Sequence, residues 1–412
     1  MKISILTLGC RTNQAESAHI ERGLQEAGHE IVRLEEKPEL CIVNTCTVTS
    51  SADIQSRNLI RKASRSGSRV IATGCYVELN KGDAGLRDVG VELVSNLEKH
   101  NLIKLIAPVI SSNDSGQYSP SRHRPNVKVQ DGCNYSCSYC AIPFARGRSR
   151  SVLEKDVIEG IQRYETIGCH EIVLTGIHLA SYGLDMSPKS SLAALINKIL
   201  LKTSIKRIRL SSISVNNLGD DILELFDNKR ICQHLHIPLQ SGDDSVLRLM
   251  NRPYSSKQYL CKIDRILDQY PDIAIGTDVI VGFPEEDDQK FINTYNMLSS
   301  IPLAYLHVFP YSPRPGTKAY CLKNMVNKKI LKDRVAQLRV LGADMRFRYN
   351  SRNIDKIMDI IIEEASDECI VGTTGNFIKV YIEKTEGINM GMLLDVRISE
   401  LHEGMTKGTE VQ

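Results

Sequence analysis

Three short apolar runs near the start of the chain each stop at a cysteine and each give way to a helical pattern. KISILTLG precedes Cys10, CIVNT precedes Cys46 and RVIATG precedes Cys75. Strands that alternate with helices predict a parallel α/β sheet, here with helices running to about Ala27 and Ser66. All strands of such a sheet end on one edge, the carboxyl edge where α/β proteins bind ligands. Three thiols tens of residues apart are therefore brought to one place. A structural zinc site asks for a fourth protein ligand, and the shorter strand VELVSN that follows ends on neither Cys nor His. Three thiolates on a four-iron cluster would instead leave one iron open to an outside ligand.

The chain has 412 residues, which is long for a single core and predicts two or three domains. The first α/β region covers 1–110, and the polar stretch SSNDSGQYSPSRHRPN, 111–126, reads as a linker. A second alternating array follows over 127–350, with strand candidates VKVQDG, EIVLTG, RIRLSS, LHIPLQ, IGTDVIVG and AYLHVF. Six βα units fall short of the eight of a closed barrel, so a partial (β/α)6 barrel is expected. From 355 to 412 the pattern turns to short β segments with Gly turns, as in a small all-β barrel.

The apolar run in MKISILTLGC is too short for a secretory signal, and no segment approaches the length of a membrane helix. A cytoplasmic protein without membrane contact is expected. Its twelve cysteines are then reduced thiols rather than a disulfide framework. Cys41, Cys169, Cys232, Cys261, Cys321 and Cys369 stand alone in apolar or amphipathic stretches and read as small buried core residues.

Cys133, Cys137 and Cys140 share one loop directly after the first strand of the second array. That places them at the carboxyl mouth of the partial barrel, where barrel enzymes keep their sites. Thr175, Gly176, Ser211, Ser212, Gln240, Ser241, Asp278 and Tyr311 stand at or near the other strand ends and line the same pocket. The net charge of +3 is too small to argue for a polyanionic partner. Local clusters are better candidates: Arg146, Arg148 and Arg150 behind the cysteine loop, Arg122, Arg124 and Lys128 around the linker, and NKKILKDRVAQLR. Most charge runs are solvated faces, but the first group lies beside the mouth.

The loop CNYSCSYC resembles the radical S-adenosylmethionine signature CxxxCxΦC, with Tyr139 at the aromatic position. Together with TLGCRTNQAES, NTCTVT, ATGCY, CAIPFARGRSRS, LTGIHLASYG, HIPLQSGDDSVLRLMNRPY, TDVIVGFP and FPYSPRPGTKA, the chain resembles the radical methylthiotransferases over nearly its whole length. The resemblance implies two 4Fe-4S clusters. Cys133, Cys137 and Cys140 would hold the one whose open iron binds S-adenosyl-L-methionine and yields a 5′-deoxyadenosyl radical. Cys10, Cys46 and Cys75 would hold an auxiliary cluster that carries the sulfur, which a second S-adenosylmethionine methylates. Tyr139, Thr175, Gly176, Ser212, Gln240 and Asp278 are the positions read as contacting S-adenosylmethionine.

The final segment, around GNFIKVYIE, resembles the TRAM domain, a small tRNA-binding β barrel. Arg146, Arg148 and Arg150 would then guide an anticodon loop, and an electron donor of flavodoxin or ferredoxin type is implied. TLGCRTNQAES, CAIPFARGRSRS and RIRLSSI look most like the branch that acts at C2 of N6-threonylcarbamoyladenosine in tRNA. The alternatives are N6-isopentenyladenosine in tRNA, an aspartate of a ribosomal protein, or, in another class, a non-catalytic zinc-stabilised RNA-binding protein. Two departures from the branch stand out: Ser214 and Val215 where it has Glu-Pro, and Glu285 where the family has Gly.

Overall fold

The structure is a computed structural model that describes residues 1–82, 90–107, 123–366, 368–385, 387–402 and 404–411. Most of the expected linker, with Arg122, lies outside the described residues. The first region is a parallel sheet of β1 (Lys2–Thr7), β2 (Glu30–Ile31), β3 (Leu40–Thr45), β4 (Arg69–Gly74) and β5 (Glu92–Leu93), in the order β2-β1-β3-β4-β5. The apolar run of β3 is buried along its whole length because it pairs on both sides, with β1 and β4. Helix α1 (Arg11–Glu26) follows β1, α2 (Ser50–Arg65) follows β3, and the short α3 (Cys75–Leu79) follows β4. Thr49 caps α2 by accepting from the Ala52 N–H at 3.1 Å.

All six strand candidates of the second array are present, although the first is split. They are β6 (Asn126–Lys128), β7 (Gln130–Asp131, paired with β8, Arg150–Ser151), β9 (Glu171–Thr175), β10 (Arg207–Leu210), β11 (His234–His236), β12 (Ala274–Val281) and β13 (Tyr305–Pro310). They form two parallel three-stranded sheets, β10-β9-β6 and β11-β12-β13, joined by a parallel bridge between Ile208 and Ile231. The result is an arc with β6 and β13 as its edges. Ile172, Leu174, Ile208, Leu210 and Leu235 pack into the core shared with the surrounding helices. The alternate residues Glu171, Arg207, Arg209 and His234 face the concave side, as the two-residue period of a strand requires.

The last region is a closed barrel of β14 (Ile357–Ala365), β15 (Cys369–Thr374), β16 (Lys379–Glu383), β17 (Leu393–His402) and β18 (Met405–Glu410), ordered β14-β15-β16-β18-β17. It docks against the concave floor of the arc. Arg209 donates to the carbonyls of Thr374 at 2.9 Å and Gly375 at 3.0 Å, and Arg207 to those of Asp359 and Thr373, both at 3.2 Å. Phe377, at φ +68°, sets its ring 4.5 Å from His234 and 5.4 Å from Tyr305, centroid to centroid.

Of the six expected core cysteines, Cys41 and Cys232 are buried, Cys169 and Cys369 are only half-buried, and the other two are not core residues. Cys261 and Cys321 are exposed, because Cys261 lies on the outer face of its amphipathic helix and Cys321 in a short 3-10 turn. Among the described residues no helix is long and apolar enough to cross a membrane.

Candidate active site

Two glycines set the first cysteine trio. Gly9 and Gly74 take φ of +111° and +101°, which glycine adopts at little cost, and each directly precedes a cysteine. A Cβ on Gly9 would come within 2.8 Å of the Cys46 sulfur, and one on Gly74 within 2.4 Å of the Thr45 carbonyl. The three strand ends can therefore close on one another. Asn13 ties two of them together, donating to the Leu8 carbonyl at 2.8 Å and the Thr45 carbonyl at 2.9 Å. Cys10 is exposed at the start of α1, whereas Cys46 and Cys75 are buried. Burial pushes the Cys46 thiol up to about 11, and the neighbouring Cys10 and Cys75 add to the rise. For Cys75 burial also raises the value, opposed by the cations of Arg146 and Lys99.

Arg146 is not the RNA contact expected from the charge run. It is fully buried, at 0% exposure. Its Nε donates to the Cys75 sulfur at 3.2 Å, and its Nη1 to Glu16 at 2.8 Å and Asp131 at 2.9 Å. A further bond runs from Nη2 to the Asn13 side chain. Its helix, α4 (Ile142–Arg146), packs against α3, and that contact turns the guanidinium inward. Glu16 also accepts from Lys99 at 2.6 Å and Lys128 at 2.9 Å. Burial alone would raise the Glu16 carboxyl, but these cations hold it well below the usual range. Lys128 and Arg124 are likewise engaged, Arg124 with Glu363 at 2.6 Å, and in NKKILKDRVAQLR Arg334 is buried against Glu286 at 2.8 Å. Arg148 and Arg150 are exposed, although Arg150 donates to the Arg146 carbonyl at 3.0 Å and lies 3.5 Å from Asp131.

The second trio lies on the loop after β7, where Cys140 N–H donates to the Cys137 carbonyl at 3.1 Å. Burial pushes Cys140 up to about 12 and also raises Cys133. Arg252, a residue that sequence reasoning left without a role, donates to the Cys137 sulfur at 3.3 Å and to the Ser214 hydroxyl at 3.2 Å. Ser214 thus stands beside Arg252 where the branch has an acid, so this guanidinium has a neutral neighbour there. Tyr139 turns its ring into an aromatic cluster, edge-on to Phe283 at 6.5 Å. Glu285 adopts φ +70°, the conformation for which the family's glycine is suited, and the Asn324 amide holds its carboxylate at 3.0 Å.

Of the other pocket residues, Ser212, Gln240 and Asp278 form one network. Ser212 Oγ lies 2.7 Å from His236 Nδ1, and Asp278 Oδ1 lies 3.0 Å from His236 Nε2 and 3.1 Å from His307 Nδ1. The Gln240 N–H donates to the Asp278 carbonyl at 2.8 Å, and its φ of +72° is a strained conformation for a residue with a side chain. Thr175 and Gly176 stand apart, beside Gln130, where a Cβ on Gly176 would come within 2.8 Å of Gln130 Oε1. His236 and His307 were missed, although they sit four residues before Gln240 and Tyr311, respectively, on the same two-residue period.

Among the described residues, His236, Asp278 and His307 are the one group of three His, Cys, Asp or Glu whose ligand atoms all lie within 4.8 Å of one another. The sulfurs of neither cysteine trio reach that spacing. At least one sulfur pair in each trio is thus wider than the roughly 3.8 Å of tetrahedral zinc thiolates, and three thiolates are a donor set that an iron–sulfur cluster takes. Arg146 and Arg252, one donating to each trio, would offset the negative charge of such a cluster.

An arc of six βα units with a CxxxCxxC loop at its mouth defines a radical S-adenosylmethionine enzyme, and residues 127–298 match the Radical SAM superfamily. Residues 2–95 match the uncharacterized protein family UPF0004. The chain is 35% identical to the threonylcarbamoyladenosine tRNA methylthiotransferase MtaB of Aquifex aeolicus, over 88% of this chain and 93% of that protein. It is 34% identical to the Bacillus subtilis protein of the same name, covering 96% and 93%. The chain belongs to the radical SAM tRNA methylthiotransferase family and is a transferase that uses S-adenosylmethionine and 4Fe-4S clusters. A further relative, the tRNA-2-methylthio-N(6)-dimethylallyladenosine synthase of Fusobacterium nucleatum, is 27% identical over 97% of each chain. In fold the chain is similar to the radical S-adenosylmethionine methyltransferase TsrM of Kitasatospora setae, with a TM-score of 0.57, 14% identity and 77% of each chain covered.

Proposed function

We propose that this chain inserts sulfur and a methyl group at C2 of N6-threonylcarbamoyladenosine beside the anticodon of tRNA. The observation that carries the reading is the pairing of two cysteine trios across one domain junction, locked by Arg146 on the Cys75 sulfur. Cys133, Cys137 and Cys140 are assigned to the cluster that binds S-adenosylmethionine, and Cys10, Cys46 and Cys75 to the auxiliary cluster. When bound, these groups supply the radical and the sulfur. The protein's own residues hold the two sites at a fixed relation and present the base between them. Tyr139, Thr175, Gly176, Ser212, Gln240 and Asp278 are assigned to the S-adenosylmethionine pocket, and the exposed Arg148 and Arg150 to tRNA phosphates. The division of labour follows the domains 1–110, 127–350 and 355–412, the last acting as a TRAM-like RNA-binding module. Reducing equivalents would come from a flavodoxin or ferredoxin, in the cytoplasm.

The choice of base follows the relatives. Those named for threonylcarbamoyladenosine are 32–35% identical, and those named for dimethylallyladenosine 27–29%. The test is nucleoside mass spectrometry of tRNA from a deletion strain, where the methylthio derivative of threonylcarbamoyladenosine should vanish. In purified protein, Cys137→Ala should abolish S-adenosylmethionine cleavage. Cys10→Ala should retain cleavage and lose sulfur insertion. Equal loss of cleavage in both, with the radical-site cluster assembled, would refute separate roles for the two trios.

A further inference from the structure

The first residue of α1, Arg11, opens onto a cavity of about 310 Å³ where all three regions of the chain meet. Its walls include Arg124, Glu363 and Glu364, with Phe377 and Met390 as an apolar side. That volume is at the lower end for small-ligand clefts and suits one modified base. The guanidinium lies within electrostatic reach of Arg209, Arg124, Glu171 and Tyr305, so it projects toward the concave side of the arc rather than out to solvent.

The carboxylates around it are already taken. Glu171 accepts from Arg207 at 2.6 Å and Arg209 at 2.8 Å, Glu363 from Arg124 at 2.6 Å, and Glu364 from Lys379 at 3.3 Å. The Arg11 guanidinium makes no hydrogen bond or ion pair with any described residue. A half-buried guanidinium without a direct partner is costly unless something anionic joins it. The cavity wall carries two arginines and two glutamates, and Arg11 is the one of these four without a direct partner.

We propose that Arg11 binds the threonyl carboxylate of the substrate and so distinguishes threonylcarbamoyladenosine from bases with an uncharged N6 substituent. The inference rests on the substrate reading above. Arg11 directly follows Cys10, so an N6 substituent held here would belong to a base lying beside the auxiliary cysteines. Phe377 and Met390 offer the hydrocarbon part of the substituent an apolar wall. An RNA phosphate is the other anion that could pair with this guanidinium, and the experiment separates the two.

Wild type, Arg11→Gln and Arg11→Lys, each reconstituted and matched in iron and sulfide content, are titrated anaerobically with anticodon stem-loops. The adenosine is threonylcarbamoylated, threonylcarbamoylated with its carboxylate methyl-esterified, or unmodified. Wild type should bind the free acid roughly tenfold more tightly than the ester, as expected for a charge-assisted pair. Arg11→Gln should erase that preference while binding unmodified RNA as wild type does, and Arg11→Lys should restore part of it. Equal weakening on all three RNAs would assign Arg11 to a phosphate and overturn the proposal, as would a wild type indifferent to esterification. Nucleoside analysis of wild-type reactions runs alongside. If threonylcarbamoyladenosine is converted but Arg11→Gln keeps its preference, the proposal alone falls. If isopentenyladenosine is converted instead, the substrate reading falls with it.

Discussion

Arg146 and Cys75 are 71 positions apart in sequence, yet the Nε of one donates to the sulfur of the other at 3.2 Å. The guanidinium is also the shared partner of Glu16 and Asp131, so it binds α1 of the first region to the strand that leads into the second cysteine trio. Removing one member of a buried charge network leaves the others uncompensated, at a cost of about 3–5 kcal/mol. Arg146→Met should therefore lower the denaturant midpoint of the reconstituted protein by that equivalent. A change near zero would mean that the junction is held by other contacts.

Arg148, two residues on, is exposed and behaves in the opposite way. Arg148→Gln should leave stability within about 0.5 kcal/mol of wild type. Its effect belongs in tRNA binding, where losing one phosphate contact in a single-stranded loop reduces the slope of log K against log salt by about 0.7. The measurement is a salt titration of affinity for both proteins, and parallel lines of equal slope would remove Arg148 from the RNA surface.

The contrast between these arginines marks what the sequence could and could not reveal. Alternating strands and helices, and cysteines at strand ends, are periodic features, so the sheet edge and the barrel mouth were legible. In GRSRS and its preceding helix every arginine looks alike, and only the packing of α4 on α3 decides that Arg146 turns inward. His236 and His307 escaped notice because the inward face of an open arc is known only once its partner strands are placed. Arg252 is likewise 115 positions from the thiol it contacts, too far for any local pattern. Cys261 and Cys321 show the reverse error, since an isolated cysteine in an amphipathic stretch has no mark of which face it occupies.

Gly74 is needed for both its conformation and its lack of a side chain. Its φ is +101°, and a methyl group added there would approach the Thr45 carbonyl to 2.4 Å, so Gly74→Ala must push β4 away from the Cys46 loop. The purified variant should carry one cluster's worth of iron and sulfide instead of two, while S-adenosylmethionine cleavage persists. Full iron loading would show that the Cys75 turn adapts to a side chain.

Glu171, on the concave floor, makes the fold sensitive to acid. Burial would raise its carboxyl, but Arg209, Arg207 and Arg124 outweigh burial and bring it from 4.5 down to about 2. A carboxylate with a depressed value stabilises the fold above its unfolded pKa, and that contribution fades as pH falls through the folded one. The shift corresponds to stabilisation on the order of 3 kcal/mol at neutral pH. Glu171→Gln mimics the protonated acid, so the stability gap between wild type and variant should be full at pH 7. It should begin to close below about 4.5 and be mostly gone near 2. Denaturant titrations of both proteins across this range test it, since acid lability common to the two cancels in the difference. A gap that stays constant with pH would mean that Glu171 acts through shape and neutral hydrogen bonds rather than through its charge.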